Sequence, residues 1–382
     1  MNFDFSDDLK QLREQARKFL RERCPSSAVR KVLEGPEPYD KALWKEIAAM
    51  GWTGAAIPEA YGGAGLGHLG LCVLAEELGS ALAPVPFSSS IYLASEAIMA
   101  GGSEAQKKAW LPKLASGEAI GTLAIAEGPG KADLRKLRTT FRGGVLSGEK
   151  LPVPDGDVAD VAIVAAQGER GVVLAIADLS ASGVQREAVE TIDPSRSHAR
   201  IGFEDTPAEP LGAAGDGERL LRRVQDRAAV LFAFEQVGGA QRSLEMARDY
   251  ALQRYAFGRP IGSFQAIKHK LADVYVATEL ARSNAYYGAW ALSTEAPELS
   301  VAAAAARVSA TEAYFHAAKE NIQTHGGMGF TWEFDCHLYY RRAKLLALML
   351  GSARRWKDLL IARLEARADR EAAAGAPAAA RA

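Results

Sequence analysis

The sequence predicts an α+β protein built from three consecutive segments: helical, then β, then helical again. Three observations carry this. Helical apolar spacing runs from Asp7 to about Ala115. Between about Glu118 and Pro210 the chain switches to short Val- and Ile-rich runs ("VADVAIVAAQ", "GVVLAIADL", "ARIGFED") broken by Gly, Asp and Pro, the habit of antiparallel strands. Long alanine-rich helical periodicity then returns from about Glu218 to Leu364. The expected domains are 1–117 (helical), 118–214 (β) and 215–366 (helical bundle). The small-residue end, "REAAAGAPAAARA", leads to an expected disordered tail over 367–382.

Each element has a local reason. Ser6 and Asp7 can cap "DLKQLREQARKFLRER". Trp44, Ile47, Met50 and Gly51 mark a second helix that ends in glycine, and "LGLCVLAEELGSAL" reads as a third. The loop "IPEAYGGAGLG" before the third is too rich in breakers to be regular. In "GVLSG" the spacing is not that of a nucleophile elbow, and Ser147 reads as a turn residue.

Composition excludes several classes. The 382 residues are 48% hydrophobic and 24% charged with a formal net charge of -1, so nothing favours nucleic acid as a partner. Cys24, Cys72 and Cys336 are widely spaced and odd in number, which implies neither a disulfide framework nor a zinc site. No His-x-x-x-His or Glu-x-x-His pairing marks a metal centre, and no glycine loop follows a strand in the Rossmann or Walker manner. The amino end lacks an apolar signal region and no apolar run spans a membrane, so a cytoplasmic, multi-domain protein is expected.

Two breaks in the last helical segment stand out: "RYAFGRPIGSFQAIKHKLAD" (254–273) and "QTHGGMGFTWEFD" (323–335). Taken singly, the first reads equally as a solvated Arg254, a core Phe257 and a Gly-Arg-Pro turn. Two such breaks together suggest more. Arg254 supplies a fork for a phosphate, Gln265 and Gln323 supply amides, and Gly326 and Gly327 let backbone approach a ligand. These groups suit the pyrophosphate and adenine end of a dinucleotide.

With those motifs in order, the sequence resembles the acyl-CoA dehydrogenases, flavoproteins that oxidise the Cα–Cβ bond of acyl-CoA thioesters. The likeness runs over nearly the whole chain. It includes Gly51 through "IPEAYGGAG", "SGEK" (147–150), Arg254 to Ile267, Gln323 to Phe330, and "RRAKLLALMLGS" (341–352). It implies an N-terminal helical domain, a middle β-barrel or sandwich and a C-terminal four-helix bundle, with FAD as cofactor and an electron-transferring flavoprotein as electron acceptor. It also implies that Arg254, Phe257, Gln265, Gln323, Gly326 and Gly327 hold the ADP half of a neighbouring subunit's FAD.

The flavin-ring half departs from the family pattern. The phrase near Thr-Glu-Pro-x-Ala-Gly-Ser-Asp reads "AEGPGKAD" (126–133), keeping Glu127 and Asp133. Where the family has Trp-Ile-Thr, this chain has Pro152, Val153 and Pro154, which cannot supply a hydroxyl or, at the prolines, an N–H. Leu350 and Ala228 occupy the two positions where family members carry the catalytic glutamate. Glu235, two helical turns beyond Ala228, is a candidate relocated base, with helix packing as its other reading. The resemblance therefore points to the subunit of a bacterial heterotetramer that completes a partner's FAD site, with sterol-type side-chain CoA esters as the implied substrate class. Two readings stay open beside it: a self-sufficient homotetramer with a relocated base, and an FAD-free scaffold of the same fold.

Overall fold

The computed structural model of the protein describes residues 5–130 and 132–375. Helix α1 (Asp7–Arg23) starts where Ser6 Oγ accepts the Leu9 N–H at 3.4 Å. A helix not anticipated from sequence, α2 (Ser26–Glu34), follows. Asp40 caps α3 (Lys41–Ala49) by accepting from Ala42 and Leu43, and Gly51, at φ +75°, ends it as expected. Helix α4 (Gly67–Ser80), a run of wide turns over Ser88–Ser95, α5 (Glu96–Gly101) and α6 (Glu104–Ala115) complete the first helical region. Ser103 and Gln106 form a capping box at the start of α6.

The β region runs β1 (Gly121–Ala124), β2 (Thr140–Arg142), β3 (Val145–Pro154), β4 (Val161–Gly168), β5 (Gly171–Asp178), β6 (Val184–Ala188), β7 (His198–Pro207) and β8 (Glu209–Leu211). They form one sheet in the order β6-β7-β3-β2-β4-β5-β8, with β1 beside β4. The apolar runs became strands that pair antiparallel as β4–β5, β3–β7 and β6–β7, as expected, but one parallel pairing was not anticipated and one local reading did not hold. Strand β1 pairs with β4 in parallel, because the chain crosses over between them instead of turning back directly. Ser147 lies inside β3 opposite Thr140, since the turn residues are Gly143 and Gly144 instead.

The last region contains α7 (Gly217–Gln253), α8 (Gln265–Ser293), α9 (Leu299–His325), α10 (Cys336–Leu348) and α11 (Ala353–Gly375). A two-residue-strand hairpin, β9 (Tyr255–Ala256) and β10 (Arg259–Pro260), joins α7 to α8. Helices α7, α8 and α9 pack side by side along alanine-lined seams, with α10 against both α9 and α7, and α11 against α9. Helix α11 continues to Gly375, so helix reaches into the stretch read as a disordered tail; alanine's high propensity carries it. Residues 376–382 of that stretch lie outside the described residues.

Helix α7 is buried on all sides over Val224–Ala240 and is the axis of the molecule. Its crossing with α4 is a backbone-to-backbone contact. A Cβ on Gly79 would sit 1.9 Å from the Glu235 carbonyl oxygen, and one on Gly238 would sit 1.9 Å from that of Glu76. The three cysteines are free and buried. Among the described residues no helix is long and apolar enough to cross a membrane, and no His, Cys, Asp and Glu group could hold a metal ion.

Candidate functional site

The two glycine-containing breaks lie at the same end of the bundle. Helix α7 stops at Arg254, whose N–H still bonds the Tyr250 carbonyl. Helix α9 stops at His325, where Gly326 turns the chain at φ +61°. Tyr250 stacks on His325 at 4.1 Å between ring centroids, and Phe334 meets both rings at steep angles. His325 Nδ1 lies 2.8 Å from the Asn321 carbonyl oxygen, and burial holds its pKa below the ordinary value. This aromatic stack pins the end of α7 to the end of α9, and α8 begins beside them at Gln265.

Around that stack, Arg254, Gln265, Gln323, Gly326 and Gly327 are exposed. Phe257, read as core in the simpler alternative, is 95% exposed in a left-handed conformation at φ +53°. Among the described residues the Arg254 guanidinium has no hydrogen-bond or ion-pair partner. A Cβ built on Gly326 or Gly327 would meet nothing within 4 Å. A free guanidinium, two amides and an open glycine cradle fit the chemistry of a diphosphate and its adenosine.

The two family base positions lie together at the other end. Arg355 donates from Nη1 to the Leu350 carbonyl at 2.8 Å and from Nη2 to Gln225 Oε1 at 3.0 Å, joining the Leu350 loop to α7 three residues before Ala228. The Trp356 indole also donates to the Leu350 carbonyl. Arg307, fully buried, donates to Gln236 Oε1 at 2.6 Å, to Met349 O at 2.6 Å and to Leu346 O. Burial pushes its pKa down to about 9, and peptide dipoles at the end of α10 take the place of a carboxylate partner. Leu350 itself sits at φ +62°, clamped by its carbonyl. Ala228 is wholly buried, and neither position carries a carboxylate. Its neighbour Asp226 is committed to Arg363 at 2.8 and 3.1 Å, and burial raises its pKa to about 6.

Between these ends, a small cavity lined by Ser88, Pro154, Asp155, Arg196, His198 and Met349 marks where the three domains meet. This is where the segment departing from the family's flavin-ring phrase faces the loop of the missing glutamate. Glu235 is fully buried beside it and accepts from Arg196 Nη2 at 2.7 Å, with Arg342 Nη1 at 3.8 Å. Arg196 also donates to Ser88 Oγ at 2.7 Å, and Arg342 donates to Asp193 Oδ2 at 2.6 Å. Ser89 donates to Asp155 Oδ2 at 2.6 Å. Burial pushes the Asp155 carboxyl up and the His198 imidazole down. This network escaped the sequence reading because its members are scattered over 255 positions and share no motif.

The retained Glu127 is also occupied. Lys150, wholly buried, donates to it from Nζ at 2.8 Å, and the backbone N–H groups of Arg138 and Thr139 donate at 2.7 and 2.9 Å. Desolvation alone would raise the Glu127 carboxyl, but these donors outweigh it and hold it at about 2. Asp133 caps a short turn by accepting from Arg135 N. Both acids therefore serve the loop that carries them.

The chain belongs to the acyl-CoA dehydrogenase family: the model of that family's N-terminal domain matches residues 6–118, and that of its C-terminal domain matches residues 215–365. It is similar to acyl-CoA dehydrogenase IpdE2 of Mycobacterium tuberculosis, 34% identical over 91% of this chain and 94% of that protein. Among solved structures it is similar to the Tcur3481–Tcur3483 steroid ACAD, with a TM-score of 0.87 and 31% identity, covering 95% of this chain and 99% of that one. The ChsE4–ChsE5 complex from Mycobacterium tuberculosis matches with a TM-score of 0.86 and 26% identity, over 99% of this chain and 100% of that one. Members of the family are generally FAD-dependent, and the chain's activity class is that of an acyl-CoA dehydrogenase.

Proposed function

We propose that this chain is the half of a two-component acyl-CoA dehydrogenase that completes the FAD site of a partner subunit of its own fold. The carrying observation is a separation. Arg254 lies 19 residues beyond Glu235, the residue of helix α7 beside the cavity where the domains meet, about 28 Å at the rise of an α-helix. An extended flavin dinucleotide does not reach from the diphosphate cluster to the ring pocket beside Met349 and Pro154 of the same chain. The cluster therefore serves a ring pocket in another subunit.

A homotetramer would share that geometry, and what favours a distinct partner is the state of this chain's own ring pocket. Pro152 and Pro154 remove donors, Leu350 and Ala228 carry no carboxylate, and Glu235 is committed to Arg196. The names of two similar structures, ChsE4–ChsE5 and Tcur3481–Tcur3483, each denote a pair of proteins, and one is called a steroid ACAD. On that likeness we assign sterol-type side-chain CoA thioesters as the substrate class. An electron-transferring flavoprotein is assigned as acceptor on family likeness alone. The partner would supply the glutamate that takes the α-proton; FAD, when bound, would accept the β-hydrogen with its electron pair, leaving a Cα=Cβ double bond. In this chain Arg254, Gln265, Gln323 and the Gly326–Gly327 backbone would hold the ADP moiety.

The test is co-purification and a visible spectrum. Purified alone the chain should be colourless; with the right acyl-CoA dehydrogenase-like partner it should form a yellow complex that acyl-CoA bleaches. A yellow, bleachable preparation of this chain alone would establish a self-sufficient homotetramer. A partner complex that is active and binds FAD equally well without this chain's Arg254 would leave it a scaffold.

A further inference from the structure

We propose that Trp332 and Arg30 brace the Gly326–Phe330 turn, so that helix α2 of the N-terminal domain sets how tightly this chain holds the diphosphate end of the dinucleotide. The inference rests on the reading of the Arg254–Gln323 cluster given above. It begins from a mechanical problem. A turn with three glycines in four residues has many accessible conformations, and a ligand that orders it loses affinity to that entropy. On the α9 side the turn is well held, since a Cβ on Gly329 would sit 2.5 Å from the Ile322 carbonyl oxygen. On the other side Gly326 and Gly327 face open space. Fixation must therefore come from the segment that follows.

That segment is anchored to all three domains through one indole. Trp332 Nε1 donates to Glu34 Oε1 of α2 at 2.7 Å. Its ring stacks on His337 of α10 at 4.5 Å with a 17° interplanar angle. The Arg30 and Arg341 guanidinium groups lie 5.6 and 5.7 Å from the ring centre. Arg30 then bonds Asp335 Oδ1 from Nε and Nη2 at 3.0 and 2.8 Å, while Arg341 donates to the Ile192 carbonyl of the β domain at 2.8 Å. Burial, with both arginines near, holds the His337 pKa below its ordinary value, so the stack avoids a third cation.

Core packing does not account for this arrangement, because Trp332 is 47% exposed. An indole engaged by four side chains yet half in water is placed for position, two residues after Phe330. Trp332 and Arg30 are positioning residues in this account, acting through the glycine backbone.

The experiment uses the assembled complex, stripped of flavin and titrated with FAD by flavin fluorescence. Trp332→Ala should weaken FAD binding about tenfold, a loss of preorganisation. It should also speed amide hydrogen exchange at 326–330 in the flavin-free complex. Trp332→Phe, which keeps the stack and the cation contacts but loses the bond to Glu34, should recover most of the affinity. If Trp332→Ala binds FAD like the wild type while Arg254→Ala does not, the brace is refuted and the cofactor reading stands. If neither variant changes FAD affinity, both fail together. Should Trp332→Ala not assemble, Arg30→Gln removes one cation from the ring and both bonds to Asp335, and the same comparison applies.

Discussion

Arg196 of the β domain and Glu235 of the bundle sit 2.7 Å apart, 5% and 0% exposed, at the point where the three domains meet. That carboxylate holds Oε1 against a guanidinium inside the core. Glu235→Gln should therefore act on the fold before it acts on chemistry. Leaving Arg196 and Arg342 with a neutral partner should cost about 3–5 kcal/mol, the usual consequence of breaking a buried pair. Turnover of the folded complex should stay within about tenfold. Thermal denaturation and steady-state rates check this together. A loss of several orders of magnitude in rate, with stability and bound flavin unchanged, would make Glu235 the base and favour a homotetramer.

Arg254→Ala, assembled with the partner, should lower the flavin-to-protein ratio. On the proposed reading its guanidinium would hold the diphosphate, and loss of a bidentate charge-assisted contact costs on the order of 2–3 kcal/mol. Absorbance of bound flavin after gel filtration measures it. An unchanged ratio would remove Arg254 from the cofactor site.

Leu350→Glu should not create activity in this chain alone. The carbonyl of residue 350 is held by Arg355 and Trp356, and the backbone is already left-handed. A new carboxyl there would be partly buried with no flavin ring of this chain to serve on the proposed reading, and an unpaired, partly desolvated acid costs free energy or stays protonated. Flavin bleaching by an acyl-CoA panel, with no partner present, would show instead that the chain owns a working ring pocket.

Glu127 makes a pH-dependent contribution whose sign follows from its depressed pKa. Because the folded value, about 2, lies below the unfolded one, its stabilisation is complete above the ordinary carboxylate range and is lost as pH falls toward 2. Glu127→Gln strands Lys150 inside the β domain and should cost about 3 kcal/mol at neutral pH. The difference in melting temperature between the two proteins should shrink steadily from about pH 4.5 downward. A difference that stays constant over that range would mean that the pair carries no net charge interaction.

The sequence carried most of the fold because its signals are local. Ser6 caps where it stands, Gly51 ends its helix through positive φ, and the Val/Ile runs of β4 and β5 need no distant information. Helix α2 was missed since Pro25 and Gly35 leave only nine residues between breakers. The parallel β1–β4 pairing was missed because strand direction depends on which distant segment lies alongside.

The motifs of the proposed cofactor end were legible for a related reason: Arg254 to Gln265 and Gln323 to Gly327 are each short and contiguous. That they share one end of the bundle came from α7 and α9 running side by side with Tyr250 on His325. The lock of Arg196, Glu235, Asp193 and Arg342, and the Trp332 brace to Arg30 and Glu34, have no such local signature. Their partners lie 39 to 305 positions apart, and the chemistry of a carboxylate or an indole depends on what surrounds it. Sequence alone left Glu235 open as a base. Packing against a buried arginine decided its partner, because in a low-dielectric interior a charge is defined by the group that neutralises it.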